Sequence, residues 1–429
     1  MRSLWPGTGG PVIDYISQPP PRLWQEKRQR SLVILGSTGS IGRNAISALD
    51  AAREPMAVCG LACGRNIELL ASQAARLRPG WLACQEESGA VRLAGLLPAD
   101  YRPRILFGRQ GYATLASLPE ADTVLSAQSG SAGLGGTLAA ALAGKVICLA
   151  NKESLVMAGF ALRKICALSG ASILPVDSEH NAIFQCLAGR GQQILALILT
   201  ASGGPFRGMS AEDLAGVGPQ DALRHPTWNM GAKISIDSAS MMNKGLEIIE
   251  ACHLFGVGPE LVRVLVHPQS IVHSLVEFPD MSMLAQMACA DMRLAIGDCL
   301  FWPRPAMCGV ERLDLARIGQ LDFFEPDNSR FPCPGLARQA FARGAGACIA
   351  LNAANEAAVE LFLEERIPFT LIPRLIAKTL QELDGECREP ALPAWPWHDI
   401  PAMTHDLLAQ LDGADAWARE LVRNLAQSN

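Results

Sequence analysis

The chain has 429 residues, 49% of them hydrophobic and 18% charged, with a net charge of −5. That length supplies two or three domains with ample cores, and that composition excludes a disordered chain. No long basic block is present, which excludes a nucleic-acid partner, and aliphatic runs such as "ILALIL" at 194–199 are too short to span a membrane.

Residues 1–30 contain "QPPPRLW", which cannot form a helix interior, and no apolar signal-peptide core. Asp14 and Glu26 speak against a plastid or mitochondrial presequence, so a loosely ordered extension of a cytoplasmic protein is expected. The 13 cysteines are scattered without zinc-type spacing. "CGLAC" (Cys59, Cys63) has one residue too many for a redox C-x-x-C, so buried free thiols in a reducing compartment are expected.

From residue 31 strands and helices alternate. "LVILG" (32–36) is followed by helical "NAISALDAAR", strand-like "MAVCGLAC" by helical "ELLASQAARLR", and "ADTVLSAQ" by "GGTLAAALAG" and "KVICLAN". The pattern predicts a parallel sheet with crossover helices over 31–176, a Rossmann-like domain. "GSTGSIG" (36–42) leaves the first strand and opens a helix. Gly36 and Gly39 allow a tight turn and close backbone approach, and Gly42 lets helix pack on strand, so the helix N-terminus faces a pyrophosphate. The competing reading is a structural glycine turn. The second strand ends "LACGRN", with Arg65 and Asn66 where NAD sites place an acid, which favours NADP.

Over 177–302 the rhythm changes to a central α+β domain, and five of the seven histidines lie between 180 and 273. "LPVDSEHNAIF" (174–184) places Asp177 and Glu179 two residues apart, on one side of an extended chain after an apolar strand. His180 and Asn181 extend the polar cluster, and Glu247 in "NKGLEIIEA" is a third carboxylate. Three carboxylates without a cysteine suit a hard divalent ion: Mg2+, Mn2+ or Co2+. Glu250, three residues on, reads as a solvated neighbour.

Ser202 in "LTASGGPF" and Ser238, Asn243 and Lys244 in "DSASMMNKGLE" suit a phosphate, although each alone is ordinary capping chemistry. "RHPTWNMGAK" (224–233) reads as a closing lid carrying Trp228 and Met230, against the alternative of a loop tucked into a domain interface. A linker is expected over 303–334 and a C-terminal helical bundle over 335–429. "REPALPAWPWHD" (388–399) is a proline-rich interruption expected at the surface.

Together "GSTGSIG", "LANKESLV", "PVDSEHNAIFQ", "SGGPFR", "HPTWNMGAKISIDSASMMNKGLE", "HPQSIVHS", "DMR" and "LNAANE" resemble the 1-deoxy-D-xylulose 5-phosphate reductoisomerase family, in order, from about residue 31 onwards. The resemblance implies that the substrate rearranges to an aldehyde on a divalent ion, that NADPH reduces the aldehyde to 2-C-methyl-D-erythritol 4-phosphate, and that the enzyme is a homodimer. It makes this the committed step of non-mevalonate isoprenoid precursor synthesis. It makes Asp177, Glu179 and Glu247 the metal ligands. Lys152 and Ser178 would contact the substrate's hydroxyl end. Ser202, Ser238, Asn243 and Lys244 would hold its phosphate, with His225 nearby and His273 lining the site. Trp228 and Met230 would form the lid. Thr38, Gly39, Ser40, Ile41, Gly64, Arg65, Asn66, Asn151, Glu153 and Gly231 would touch NADPH. "SAQSG" (126–130), "CADMRLAI" and 388–399 depart from the family pattern, away from the expected metal and phosphate ligands. The rival readings are another NADP-dependent Rossmann dehydrogenase and a non-catalytic NADP sensor.

Overall fold

A computed structural model describes residues 16–17, 30–52, 56–188, 194–224, 228, 230–383, 390–392 and 396–427. Its first sheet holds β1 (Ser31–Leu35), β2 (Ala57–Ala62), β3 (Trp81–Cys84), β4 (Arg104–Phe107), β5 (Thr123–Ser126), β6 (Val146–Leu149) and β7 (Ser172–Pro175). The order is β4-β3-β2-β1-β5-β6-β7, and every pairing is parallel. Helices α1 (Ser40–Ala51), α2 (Ile67–Leu77), α3 (Glu87–Leu96), α4 (Gly108–Ala116), α5 (Leu134–Leu142) and α6 (Lys152–Ser169) supply the crossovers. Strands β5 and β6 are buried along their whole length, as a sheet covered on both faces requires. The strand order reverses at β1 and β5, where open α/β sheets bind ligands.

Two βα units, β3–α3 and β4–α4, lie where the sequence pattern showed no rhythm. Edge strand β4 explains part of this: "RILF" is half-exposed and carries a charge, so it lacks the apolar run of a buried strand. Ile16 and Ser17 of the N-terminal extension are buried, and Ile173 N–H of the other edge strand, β7, donates to the Ile16 carbonyl at 2.8 Å. The extension is therefore tied to the sheet edge at that point; residues 1–15 and 18–29 lie outside the described residues.

Helix α7 (Ser178–Leu187) leads to a second sheet of β8 (Ala196–Ala201), β9 (Val262–Val266), β10 (Val272–Glu277) and β11 (Met283–Met287), ordered β11-β10-β8-β9. Helices α8 (Ala232–Ala239) and α9 (Met242–Phe255) connect β8 to β9, and α10 (Met292–Phe301) follows β11. The segment 303–334 includes a one-turn helix, Leu315–Ile318, and a bridge from Phe324 to Val266 of β9. Helices α11 (Cys333–Arg343), α12 (Ala345–Leu363), α13 (Leu371–Glu382) and α14 (Ile400–Gln427) end the chain. By length and composition α12 could cross a membrane, but 83% of its apolar window is buried within the protein. It is a core helix, whose small residues Ala350, Ala353, Ala354, Ala357 and Ala358 let its neighbours approach closely. The described cysteines are free, and most are buried.

Helix α9 packs on α6 through His253, which is buried between Phe160 and Phe341 at ring distances of 4.7 and 5.2 Å. Among the described residues, neither ring nitrogen has a hydrogen-bond partner. Burial, reinforced by the Arg163 charge, pushes the imidazole down to about 3. The unfolded chain takes up this proton near pH 6.5 and the folded chain does not, so the contribution to stability is complete above about pH 6.5 and lost as pH falls below it. The slope is roughly 1.4 kcal/mol per pH unit. His253→Leu is expected to flatten the fall in melting temperature between about pH 6 and 4 relative to the wild type. Parallel profiles in calorimetry would rule this out.

Candidate active site

Strands β6 and β7 are neighbours, with Leu149 opposite Pro175. Two residues beyond those ends lie Asn151 and Asp177, the N-caps of α6 and α7. Topology thus brings Lys152, first residue of α6, against Asp177: its Nζ donates to Asp177 Oδ2 at 2.9 Å. Asp177 and Glu179 do not lie on an extended strand. Glu179 is in the first turn of α7, which begins at Ser178, so the two carboxylates converge around a helix N-terminus. That location itself favours negative charge.

Helix α9 supplies the opposite wall. Asn243, Lys244 and Glu247 share one face because they are three and four residues apart. Glu247 is fully buried, and its Oε1 accepts from Asn243 Nδ2 at 2.5 Å and Lys152 Nζ at 3.3 Å. Its Oε2 accepts from Lys244 Nζ at 2.5 Å, and Lys244 also donates to Glu179 Oε1. Lys152 further donates to Asn243 Oδ1 at 2.7 Å, and Ser178 Oγ to Glu179 Oε2 at 2.6 Å. Asp177, Glu179 and Glu247 each offer an oxygen within 4.8 Å of the others, and three carboxylates face two ammoniums. This all-oxygen set fits a hard divalent cation.

Burial works against charge on Asp177, but Lys152 and His180 outweigh it and hold the carboxyl well below the usual range. Glu179 is likewise opposed by burial and lowered by Lys244. Glu247 is raised, by burial and then by Glu179, despite both lysines. Glu250, expected in solvent, is instead buried, because α9 is enclosed on nearly every side. Its carboxyl is pushed up to about 8, chiefly by burial. His180 Nδ1 lies 3.5 Å from both Asp177 Oδ2 and Glu250 Oε2, and His180 Nε2 lies 2.9 Å from the Glu247 carbonyl oxygen. Burial lowers His180, but Glu250 and Asp177 reverse this and raise it to about 9.

Ser202 follows β8, and its Oγ accepts from Gly204 N–H at 3.2 Å. Gly204 has φ +69°, and a Cβ there would lie 2.7 Å from the Ser238 carbonyl oxygen. This close approach brings the Ser202 loop against Ser238 near the end of α8. Met241, at φ 60°, makes the sharp turn into α9, a left-handed conformation costly for a side chain of its size. Asn243 and Lys244, expected at the phosphate, reach the carboxylates directly. His273 is buried, lowered by burial with Glu179 opposing, and its ring lies 6.4 Å from that of Trp228. Trp228 and Met230 are half-buried, and His225 lies outside the described residues. A cavity of about 260 Å³ borders Gly203, Met241, Phe324 and Arg330; it adjoins the Ser202 loop and does not reach the carboxylates.

At the switch point, Gly36 has φ +85°, and a Cβ there would lie 2.5 Å from the Ala127 carbonyl oxygen after β5. A Cβ on Gly42 would lie 2.4 Å from the Gly36 carbonyl oxygen, so both glycines are required by space. Gly39 caps α1 without a side-chain bond to the first turn. Gly39 and Ser40 are exposed, and Thr38 and Ile41 are half-exposed. Gly39 N–H donates to the Gly36 carbonyl at 3.1 Å, and the N–H groups of the helix's first turn suit a pyrophosphate. Gly64, Arg65 and Asn66 are exposed at the end of β2, and Asn66 also caps α2 by accepting from Leu69 N–H.

Sequence reasoning missed a second polar cluster. Lys233 Nζ bridges Glu153 Oε1 at 2.7 Å and Asp237 Oδ2 at 2.8 Å, while Asn355 Nδ2 donates to Asp237 Oδ1 at 2.8 Å. The i, i+4 spacing of Lys233 and Asp237 was visible, and so were the polar residues of "LNAANE"; their meeting with Glu153 was not.

The profile of the 1-deoxy-D-xylulose 5-phosphate reductoisomerase family matches residues 32–159. Profiles of its C-terminal domains match 173–255 and 287–421. The 1-deoxy-D-xylulose 5-phosphate reductoisomerase of Nitratidesulfovibrio vulgaris is 58% identical over 375 residues, 87% of this chain and 92% of that protein. A crystal structure of DOX-P reductoisomerase in complex with NADPH, fosmidomycin and magnesium is 40% identical with a TM-score of 0.84, covering 93% of this chain and 99% of that one. The Zymomonas mobilis enzyme in complex with NADPH is 38% identical with a TM-score of 0.83, covering 94% and 100%.

Proposed function

This chain belongs to the 1-deoxy-D-xylulose 5-phosphate reductoisomerase family, and on that premise we propose how its residues divide the NADPH-dependent rearrangement and reduction of 1-deoxy-D-xylulose 5-phosphate to 2-C-methyl-D-erythritol 4-phosphate. The observation that carries the assignment is the trio of half-buried Asp177 and Glu179 and buried Glu247, with ligand oxygens within 4.8 Å of one another. When bound there, a divalent cation such as Mg2+ polarises the substrate's carbonyl and hydroxyl oxygens, and NADPH supplies the hydride.

Lys152 and Ser178 face the oxygens of the reacting end. The Lys152 ammonium is kept charged, since Asp177 and Glu247 outweigh the burial that opposes it. It therefore stabilises negative charge as it develops on oxygen. Ser202, Ser238, Asn243 and Lys244 hold the phosphate. Binding energy from this remote group closes the site. Trp228, Met230 and His273 cover the reacting end and exclude water. Thr38, Gly39, Ser40 and Ile41 cradle the pyrophosphate, and Gly64, Arg65 and Asn66 hold the ribose phosphate. Asn151, Glu153 and Gly231 meet the nicotinamide end, since Asn151 and Glu153 flank Lys152. We assign cofactor binding to 31–176, catalysis to 177–302 and a helical domain to 335–429.

Two copies are expected to pair. Edge strand β11 and the turn before it expose Met283 and Met281, apolar side chains that a second chain would cover. The free thiols suit a reducing cytoplasm.

The direct test is NADPH oxidation by the purified protein with 1-deoxy-D-xylulose 5-phosphate, with and without Mg2+ or Mn2+. Oxidation that needs both substrate and metal is expected; none with either metal would overturn the reading. Arg65→Asp is expected to weaken NADPH binding about 10- to 100-fold, the loss of a charge-assisted contact, and to shift preference towards NADH. Unchanged KM values for both cofactors would make Arg65 a bystander.

A further inference from the structure

Half-buried Lys233 has no part in the reaction as assigned above, yet it stands at the centre of an ionic cluster with two buried carboxylates. Lys233 lies three residues beyond Met230 and two beyond Gly231, in the first turn of α8, where the lid segment re-enters the fold. Its ammonium joins two elements, bonding Glu153 in the first turn of α6 and Asp237 one turn along its own helix. Asp237 is itself held by Asn355 of α12. On the other side, Glu153 Oε2 accepts from Asn151 Nδ2 at 3.2 Å, and the same amide donates to the Gln128 and Gly130 carbonyls at 2.8 Å each. A continuous chain of bonds therefore runs from the C-terminal helices, through the base of the lid, to the loop after β5.

We propose that Lys233 is a positioning residue, which locks the base of the lid to the N-terminus of α6 and so sets Glu153 and Asn151 for the nicotinamide end of NADPH. The inference rests on the reading of Asn151 and Glu153 as cofactor contacts. Without the ammonium, two buried carboxylates, Glu153 and Asp237, would face each other unpaired. They would move apart or take up a proton, and either change would carry Asn151 and Gly231 out of register. A mere structural ion pair would lower stability and leave the folded protein's cofactor binding intact; a positioning residue changes that binding itself.

The test compares the full-length wild type, Lys233→Met and Lys233→Arg by calorimetric titration with NADPH and by steady-state kinetics. Lys233→Met is expected to raise the Kd and KM for NADPH about tenfold or more. Lys233→Arg is expected to recover most of this. Glu153→Gln combined with Lys233→Met is expected to weaken binding by less than the product of the single effects, because the two residues act as one unit. Wild-type Kd and KM values in a folded Lys233→Met, or strict additivity in the double variant, would overturn the proposal. Should Lys233→Met not fold, Asn355→Ala serves instead: a rise of about threefold in the NADPH Kd is expected, and an unchanged Kd overturns the proposal. Wild-type protein that bound no NADPH would instead overturn the cofactor reading on which the proposal stands.

Discussion

Glu247→Gln is expected to lower kcat about a thousandfold while the Kd for NADPH changes by less than about twofold, a loss of roughly 4 kcal/mol in transition-state stabilisation. Glu247 is buried, and its two oxygens accept from three donors, Asn243, Lys152 and Lys244. A glutamine offers one acceptor. Whichever way its amide turns, the NH2 group points at an ammonium or at the Asn243 amide. One charged oxygen of the metal set disappears, and both lysines lose a partner. The nucleotide turn at Gly36–Gly42 is built on other elements and keeps its geometry. The loss should therefore appear in turnover and in the metal concentration needed for half-activity. Near-normal kcat in the variant, or full wild-type turnover after exhaustive chelation, would refute the metal assignment.

Lys244→Met is expected to cost more in stability. Lys244 bonds Glu179 and Glu247 together, and burial, which opposes its charge, is outweighed by those two carboxylates. Removing one partner of a buried ion pair costs about 3–5 kcal/mol, because the other is left uncompensated. The metal-free variant should melt well below the wild type. Mg2+ should raise its melting temperature more than it raises that of the wild type, since the freed carboxylates gain a cation that Lys244 no longer contests. Turnover should nonetheless fall at least a hundredfold, with a raised KM for the substrate, because the phosphate loses its ammonium. A variant as stable as the wild type without metal would show that Lys244 does not hold the carboxylates together. Equal stabilisation of both proteins by Mg2+ would show that the ion does not bind there.

The sequence alone determined what local chemistry can announce. "GSTGSIG" after an apolar strand announced a nucleotide turn, since only glycine fits at Gly36 and Gly42. The order of acids, serines and lysines announced a metal and a phosphorylated substrate, and the alternation of elements announced the parallel sheet. Tertiary structure decided the rest, because it depends on neighbours distant in the chain. Asp177 and Glu179 converge because a helix starts between them, which no period-two pattern foretells. Lys152 meets Asp177 because β6 pairs with β7. Glu250 is buried because α9 is wrapped on nearly all sides, a fact of packing that a charge in a sequence conceals. Lys233 finds Glu153 80 residues away for the same reason. Residue types set which bonds are possible; the paths of the strands and helices set which are made.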